Sequence, residues 1–438
     1  MPKEIFYWDK NTETLSAQEL KKMQLAHLKQ SVHYAMHTAF YNHRLKKAGI
    51  RSASDIKSLD DLKRIPFTSK DDLRQCYPNG LLAVNMQDVV RVHTSSGTTG
   101  TPTVIYHTQE DIKHWAELVA RCIIATGADK NDIFQNMMTY GLFTGGLGLH
   151  YGAERAGLTV IPSSAGNTKR QLSLMKDFKA TVVHATPSYL LHIYSKLEEC
   201  GFSKKDLCLK KAYVGAEPYS DNTRKKIEAL YDIDVYNSYG LSELNGPGVS
   251  FECVYKNGMH LWEDSYILEV IDPKTGNILP EEKEGEIVLT HLTRRATPLL
   301  RYRTRDLAFV YKGACKCKRT HRRISRITGR TDDMLIVNGV NMYPSQIEEI
   351  IMRIPEVGNN YQIHLEKEGT LDKLIVKVEI YSKLFTGDVA QLDTIKEKIK
   401  NELRASIIIS PVIELHEPGV LPEFEGKAKR VVDNRDKL

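Results

Sequence analysis

No stretch of this sequence is apolar for the length a bilayer-spanning helix needs, so a soluble chain with no membrane partner is expected. Tryptophan occurs only 3 times, and the 7 cysteines are odd in number and scattered over 438 residues, which argues against a disulfide framework. Neither sign of charge dominates: 61 basic against 55 acidic residues leave +6, too mild over this length for a dedicated nucleic-acid binder. Internal repeats and low-complexity segments are absent. The opening Met1-Pro2-Lys3-Glu4-Ile5-Phe6 has an early acid and no apolar targeting segment, so a cytoplasmic location is expected. What is present, 41% hydrophobic and 26% charged residues, is the composition of a globular chain, and its length exceeds what one core usually organises.

Apolar residues Leu25, Leu28, Val32 and Met36 recur at three- and four-residue steps, which predicts helix within residues 15–50. From Val92 to Tyr239, short β-branched runs alternate with helix-like stretches: Thr103–Tyr106, Ile133–Met137, Thr159–Ile161, Thr181–His184, Lys211–Val214 and Val235–Ser238. That rhythm predicts βαβ units and parallel sheets. Between Phe251 and Phe309 the pattern turns strand-rich, with Tyr266–Ile271 and Glu286–Thr290 separated by Asp272-Pro273-Lys274-Thr275-Gly276-Asn277, which reads as a β-subdomain. Beyond Gly329–Asp333 come a helix at Ser345–Ile354, strands at Tyr361–Leu365 and Leu374–Ile380, a helix at Leu392–Ala405 and a strand near Ile413. The expected fold is therefore α/β: a large N-terminal domain, 1–331, and a small α+β domain, 332–438, of a size that can fold alone.

The most informative segment is Thr94-Ser95-Ser96-Gly97-Thr98-Thr99-Gly100-Thr101-Pro102-Thr103. Glycines let the backbone approach an anion, and the hydroxyls and free N–H groups can donate to phosphate oxygens. It is not a P-loop of the Walker type, because no Gly-Lys-Ser/Thr closes it. Alone, such a stretch could equally be a surface loop.

Three further segments follow it in order: Tyr239-Gly240-Leu241-Ser242-Glu243, Gly329-Arg330-Thr331-Asp332-Asp333 and Gly426-Lys427-Ala428-Lys429-Arg430. Together they resemble the adenylate-forming superfamily of acyl-CoA synthetases, and the match spans nearly the whole chain. Tyr140–Gly148, Gly215-Ala216-Glu217-Pro218, Leu299–Thr304 and Gly339–Glu348 are most similar to the phenylacetate–coenzyme A ligase family. The resemblance implies two half-reactions: a carboxylate attacks the α-phosphate of ATP, releasing pyrophosphate, and a thiol then takes the acyl group from the adenylate.

It also implies roles. Ser95, Ser96, Gly97, Thr98, Thr99, Gly100 and Thr101 would hold the β- and γ-phosphates, and Glu243 would place Mg²⁺. Gly215, Ala216, Glu217 and Pro218, with Asn237, Ser238, Tyr239 and Gly240, would form the adenine slot. Asp306 would accept from the ribose hydroxyls, with Arg330 near the ribose. Asp332 falls at the hinge about which the small domain turns, making that domain mobile. Lys427 would stabilise charge as the α-phosphate is attacked; its composition alone would make it one more solvated lysine. Two departures stand out: Thr103 replaces a lysine common in the superfamily, and Arg305 stands where Thr-Gly-Asp would put glycine.

Tyr140, Phe143 and Gly145, with the neighbouring small residues, could form an apolar slot for a planar aryl acid beside the backbone. Phenylacetate is the first choice of acid, with hydroxyphenylacetate, indoleacetate and other aryl acids open; ATP, coenzyme A and the acid are the implied small-molecule partners, with a homodimer compatible with the family. A rival reading shares adenylation but passes the group to another acceptor, such as a deazaflavin. A non-catalytic nucleotide-binding scaffold is a third, and an RNA-binding protein a fourth.

Cys253, His260, Cys315 and Cys317 form a separate constellation, since thiolates and imidazole are the ligands zinc prefers and four would close a structural site. The spacing is not a standard finger, His321 is a rival ligand, and unliganded thiols are the plain alternative. The basic run Lys316, Lys318, Arg319, Arg322, Arg323, Arg326 and Arg330 lacks stacking aromatics, so a solvated face or a contact to coenzyme A phosphates is expected before nucleic acid.

Overall fold

A computed structural model describes residues 3–95, 101–369, 371–384, 389–407, 409–424 and 428–435. The chain divides into two compact units: Met1–Ser164 with Thr181–His184 and Tyr236–Arg326, and Ala165–Ala180 with Ala185–Val235 and Ile327–Leu438. Among the described residues, no helix is long and apolar enough to cross a membrane.

In the first unit, the expected N-terminal helix runs Ala17–Ala35, started by a capping box in which Ser16 and Glu19 satisfy each other's backbone N–H groups. It buries Leu28 and Val32, as the spacing demands. Strand β1 (Val89–Thr94) pairs antiparallel with β2 (Val104–Thr108), so the glycine-rich segment is a hairpin connection and not a strand-to-strand crossover. The parallel rhythm begins later, where Thr159–Ile161 and Val182–Ala185 flank Ile133–Asn136, both parallel to it. The β-subdomain is an antiparallel run of Tyr266–Ile271, Gly285–His291 and Tyr302–Ala308. Its first turn is held by Asp272 Oδ1, which accepts from Lys274 and Thr275 N–H at 2.9 Å each.

Helix α1 (Gln109–Ala125) packs on the helix Thr144–Arg155 through glycines. A Cβ built on Gly148 would overlap the Trp115 ring, and one on Gly152 would overlap Val119. Gly148 and Gly152 are therefore consumed by helix packing, and Gly146 by close approach to the Thr139 carbonyl. Gly141 and Gly145 are the open positions: a Cβ on Gly141 would meet nothing within 4 Å, and one on Gly145 only Met138 Cε at 3.5 Å.

The basic run Lys316–Arg330 is not a uniformly solvated face. Arg319 is fully buried and donates through Nε to buried Glu13 Oε2 at 2.6 Å, and buried Arg323 donates to the Asn257 carbonyl at 2.6 Å. A turn at Cys315–Lys318, closed by Lys318 N–H on the Cys315 carbonyl at 2.9 Å, leaves Lys316 and Lys318 exposed and Arg319 buried.

The second unit holds helices α2 (Pro187–Ser195), α3 (Asp221–Tyr231) and α4 (Pro344–Ile351). Its four-stranded sheet has the order Val412–His416, Leu371–Ile380, Val357–Glu368, Val431–Asp433. Ile347, Ile351, Val376, Val378, Ile399 and Leu403 form its core, with Ile399 and Leu403 from the helix Val389–Ile407. The strand expected at Tyr361–Leu365 is twelve residues long, Val357–Glu368, with its register against Leu371–Ile380 shifting between Val357 and Tyr361, where the polar Asn359 and Asn360 hid its start from the apolar pattern.

Replacing Gly152 by alanine should destabilise the protein by about 2 kcal/mol, the scale of overpacking a rigid neighbour. Val119→Gly in the same chain, which also removes the overlapping Cβ, should add less than its own cost in thermal unfolding. Independent, additive effects of the two changes would mean the helices do not meet at this point.

Candidate active site

The hairpin connection is anchored at its base: Ser95 N–H donates to the Thr103 carbonyl at 3.1 Å, and Thr103 N–H donates to Ser95 Oγ at 2.9 Å. Thr101 is exposed. Ser96, Gly97, Thr98, Thr99 and Gly100 lie outside the described residues, as does Lys427.

Glu243 sits beneath this base, in the short turn Ser242–Leu244, and is buried. Thr103 Oγ1 donates to its Oε1 at 3.3 Å, and the ammonium of Lys70 lies 3.6 Å from the same oxygen. The position where the superfamily carries a lysine thus presents a hydroxyl to the acid, and a lysine from another part of the chain stands beside both. Sequence reasoning missed Lys70, because nothing in Ser69-Lys70-Asp71-Asp72 sets it apart from a capped surface helix. The turn itself is fixed by Arg294, fully buried, which donates through Nη1 to the Glu243 carbonyl at 2.6 Å. Burial lowers that guanidinium to about 10.

Tyr239, at the end of its strand, donates its hydroxyl to Asp306 Oδ2 at 2.7 Å, bringing two expected nucleotide contacts together. Arg305 has φ +65°, so the backbone keeps the left-handed conformation that glycine would take and the arginine adopts it. Asn237 N–H is held by Glu252 Oε2 at 2.9 Å, and Ser238 is buried. Gly240 is required sterically, since a Cβ there would strike Gly246 Cα. In the second unit, Ala216 also has positive φ, +67°. Next to it, Glu217 accepts from Ser188 N–H at 2.8 Å and from Ala428 N–H at 3.1 Å. Desolvation raises its carboxyl above the usual range. Arg330 forms a two-bond ion pair with Asp332, at 2.9 and 3.1 Å. Gly215 is buried and Pro218 half-buried.

Tyr140 is half-buried, and burial pushes its phenol up to about 12. Its oxygen accepts from Asn136 Nδ2 at 3.0 Å and lies 3.2 Å from His150 Nδ1. Asn136 also donates to the Gly146 carbonyl at 2.7 Å, and its Oδ1 faces His184 Nδ1 at 3.3 Å. Burial lowers His184 to about 3, so it is neutral and can donate there. Phe143 is 42% exposed. The slot is thus half apolar and half polar, a chain of Tyr140, Asn136 and His184 that the sequence pattern concealed inside an apolar strand.

Cys253, His260, Cys315 and Cys317 converge, all four buried, with ligand atoms within 4.8 Å of one another. Cys253 and Cys315 sulfurs are 3.8 Å apart, and Cys317 Sγ is 3.2 Å from His260 Nε2. Ligands about 2.3 Å from a tetrahedral metal would stand about 3.8 Å apart, so the cluster has the size for one ion. His260 Nδ1 lies 3.2 Å from the His321 carbonyl, a contact that leaves Nε2 for the sulfur side. His321 itself uses its ring nitrogens on Glu263 N–H and the Thr12 carbonyl and is not part of the cluster.

The family model for AMP-binding enzymes matches residues 13–292, and that for the AMP-binding enzyme C-terminal domain matches 339–435. A phenylacetate–coenzyme A ligase of Thermus thermophilus is 45% identical over 97% of this chain and 98% of its own. One from Escherichia coli is 42% identical over 97% of each. Among solved structures, a 2-hydroxyisobutyryl-CoA ligase in the postadenylation state superposes with a TM-score of 0.93 at 27% identity, covering 100% of this chain and 94% of that one. A structure of the same ligase in the thioesterification state, with coenzyme A, gives 0.71 at 29% identity, covering 98% and 93%. With full-length relatives above 40% identity and the AMP-binding enzyme model matching residues 13–292, this chain belongs to the phenylacetate–coenzyme A ligase family of AMP-binding enzymes.

Proposed function

We propose that the protein is an AMP-forming phenylacetate–coenzyme A ligase. The observation that carries this reading is the cluster of Glu243, Thr103 and Lys70 at the base of the Ser95–Thr103 hairpin, where a triphosphate needs both a cation and a metal-holding acid. In the first half-reaction the acid's carboxylate oxygen bonds to the α-phosphorus of ATP, and the bond to pyrophosphate breaks. In the second, the thiol sulfur of coenzyme A bonds to the acyl carbon, loses its proton, and AMP leaves with the acyl–oxygen electron pair. Lys427 acts at the α-phosphate in the first half, and Lys70 supplies near the triphosphate the charge that Thr103 lacks. Tyr239, Asp306 and the Gly215–Pro218 segment serve the nucleotide, and Gly145 with Tyr140 serves the aryl ring.

Mg²⁺, when bound, neutralises the triphosphate; the buried Glu243 carboxylate, with Oε1 engaged by Thr103 and Lys70, is the group suited to hold it. The segment 332–438 is a lid that turns about Asp332, and the enzyme works in the cytoplasm as a homodimer. A structural zinc ion on Cys253, His260, Cys315 and Cys317 fits the size and burial of that cluster.

Pyrophosphate and AMP release, measured with a panel of aryl and aliphatic acids, with and without coenzyme A, tests the reading. AMP turnover is expected only with phenylacetate or a close aryl acid and the thiol together. Pyrophosphate release with no thiol requirement would move the group to another acceptor. In that assay Lys427→Ala should slow pyrophosphate release roughly a hundredfold or more, and Lys70→Ala by less, since one exposed cation among several is lost. A normal rate in either variant removes that lysine from the site.

Elemental analysis of the purified protein should find about one zinc per chain, the ratio one four-ligand site gives. Cys315→Ser should lower that content and the unfolding temperature together. A wild type free of metal ends the zinc assignment.

A further inference from the structure

Strand β1 inverts the usual pattern of a half-buried strand. Its Val90 and Val92 are 54% and 42% exposed, while the one residue that is fully buried is the polar His93. Burying an imidazole costs free energy that an apolar side chain of similar size would not, so stability alone would put a valine at this inward position. The side chain of His93 makes one hydrogen bond there among the described residues. Its Nδ1 lies 2.9 Å from the Leu142 carbonyl, and because a carbonyl only accepts, Nδ1 carries the proton. Burial keeps the ring neutral by lowering its pKa from the usual histidine value. Packing fixes the ring edge-on to His107 and Trp115, with centroids 5.5 and 5.7 Å away.

The same carbonyl accepts from Thr94 N–H at 3.1 Å, so two donors from the end of β1 converge on one atom of the segment that joins Ile133–Asn136 to the helix Thr144–Arg155. That segment and the helix start carry Tyr140, Phe143 and the open positions at Gly141 and Gly145. Side-chain packing does little to fix its middle: Leu142 is 61% exposed, Phe143 is 42% exposed, and Gly141, at φ +128°, has no side chain. The Leu142 carbonyl is therefore where the segment is tied to the strand that leads into Ser95. Of the two donors, only the imidazole depends on the residue at position 93. The Thr94 N–H, the Ser95–Thr103 pair and the β1–β2 ladder are all independent of that side chain.

We propose that His93 is a positioning residue for the acid: by holding the Leu142 carbonyl it sets the Tyr140–Phe143 segment, and with it the space for an aryl ring beside Gly141 and Gly145. This rests on the ligase reading above, which gives His93 no part. It carries a built-in asymmetry, since losing the imidazole loosens the acid's segment and leaves the base of the phosphate hairpin bonded as before.

The test separates the two substrates. ATP–pyrophosphate exchange with no thiol present gives a KM for phenylacetate and a KM for ATP in each variant. His93→Leu, which fills the space and lacks the donor, should raise the KM for phenylacetate roughly fivefold to tenfold, the scale of one lost hydrogen bond, and leave that for ATP within about twofold. His93→Asn, whose amide nitrogen stands where Nδ1 does, should restore most of the loss. His93→Gln, whose amide nitrogen stands where Nε2 does, should not. Equal rises for acid and ATP would make His93 merely structural, and an unchanged KM for phenylacetate in His93→Leu would remove it from the acid's site. Failure of His93→Asn to rescue would overturn the assigned donor. Should His93→Leu fail to fold, the contrast between the Asn and Gln variants decides the question. A wild type without exchange would sink the ligase reading instead.

Discussion

Arg294 is the buried cation on which the turn carrying Glu243 depends. A guanidinium without access to water must find acceptors in fixed positions, and it finds them in the Glu243 carbonyl and in Asn245 Oδ1. Asn245 has φ +56°, a conformation its side-chain bonds help to hold, and it closes the turn that carries Glu243. The carboxylate of Glu243 therefore points toward Thr103 because its own backbone is pinned from behind. Losing Arg294 would leave the turn, and not only a charge, without support.

Glycine sets the second constraint. Gly148 and Gly152 allow α1 to approach the helix Thr144–Arg155 closely, bringing the Trp115 ring and Val119 into its surface. With that space filled, the open positions of this stretch are beside Gly141 and Gly145. Nearby runs the polar chain from Tyr140 through Asn136 to His184. Its buried neutral histidine and its phenol of raised pKa stay uncharged at neutral pH.

What could be read from the sequence follows from how each feature is encoded. The nucleotide motifs are continuous in the chain, so Tyr239 and Glu243 were legible as neighbours and Asp306 as a partner. The β-subdomain was legible because its strands are rich in β-branched and other apolar residues and its turn carries Asp, Pro and Gly. Contacts made by folding were not. Lys70 reaches Glu243 across 173 positions, and Arg319 reaches Glu13 across 306. Neither has a local signal, and Arg319 lay inside a basic run whose composition suggested solvent. The antiparallel pairing of β1 and β2 was hidden for a related reason: a hairpin connection and a βα crossover share the same glycine-rich composition.

Thr103 and Lys70 together show how a charge can be moved without being lost. A lysine on the loop would approach the phosphates from the hairpin itself; here the hydroxyl of Thr103 engages Glu243, and the ammonium comes from Lys70 at the start of a short capped helix. The Lys70–Glu243 pair is long, at 3.6 Å, and the lysine side chain is 36% exposed. Pairs of that kind contribute about 1 kcal/mol or less. The ammonium is thus held beside the base of the Ser95–Thr103 hairpin, but weakly. One acid meets a hydroxyl from the hairpin and an ammonium from a short helix 173 positions away, so the contact is built by folding and not by the local sequence.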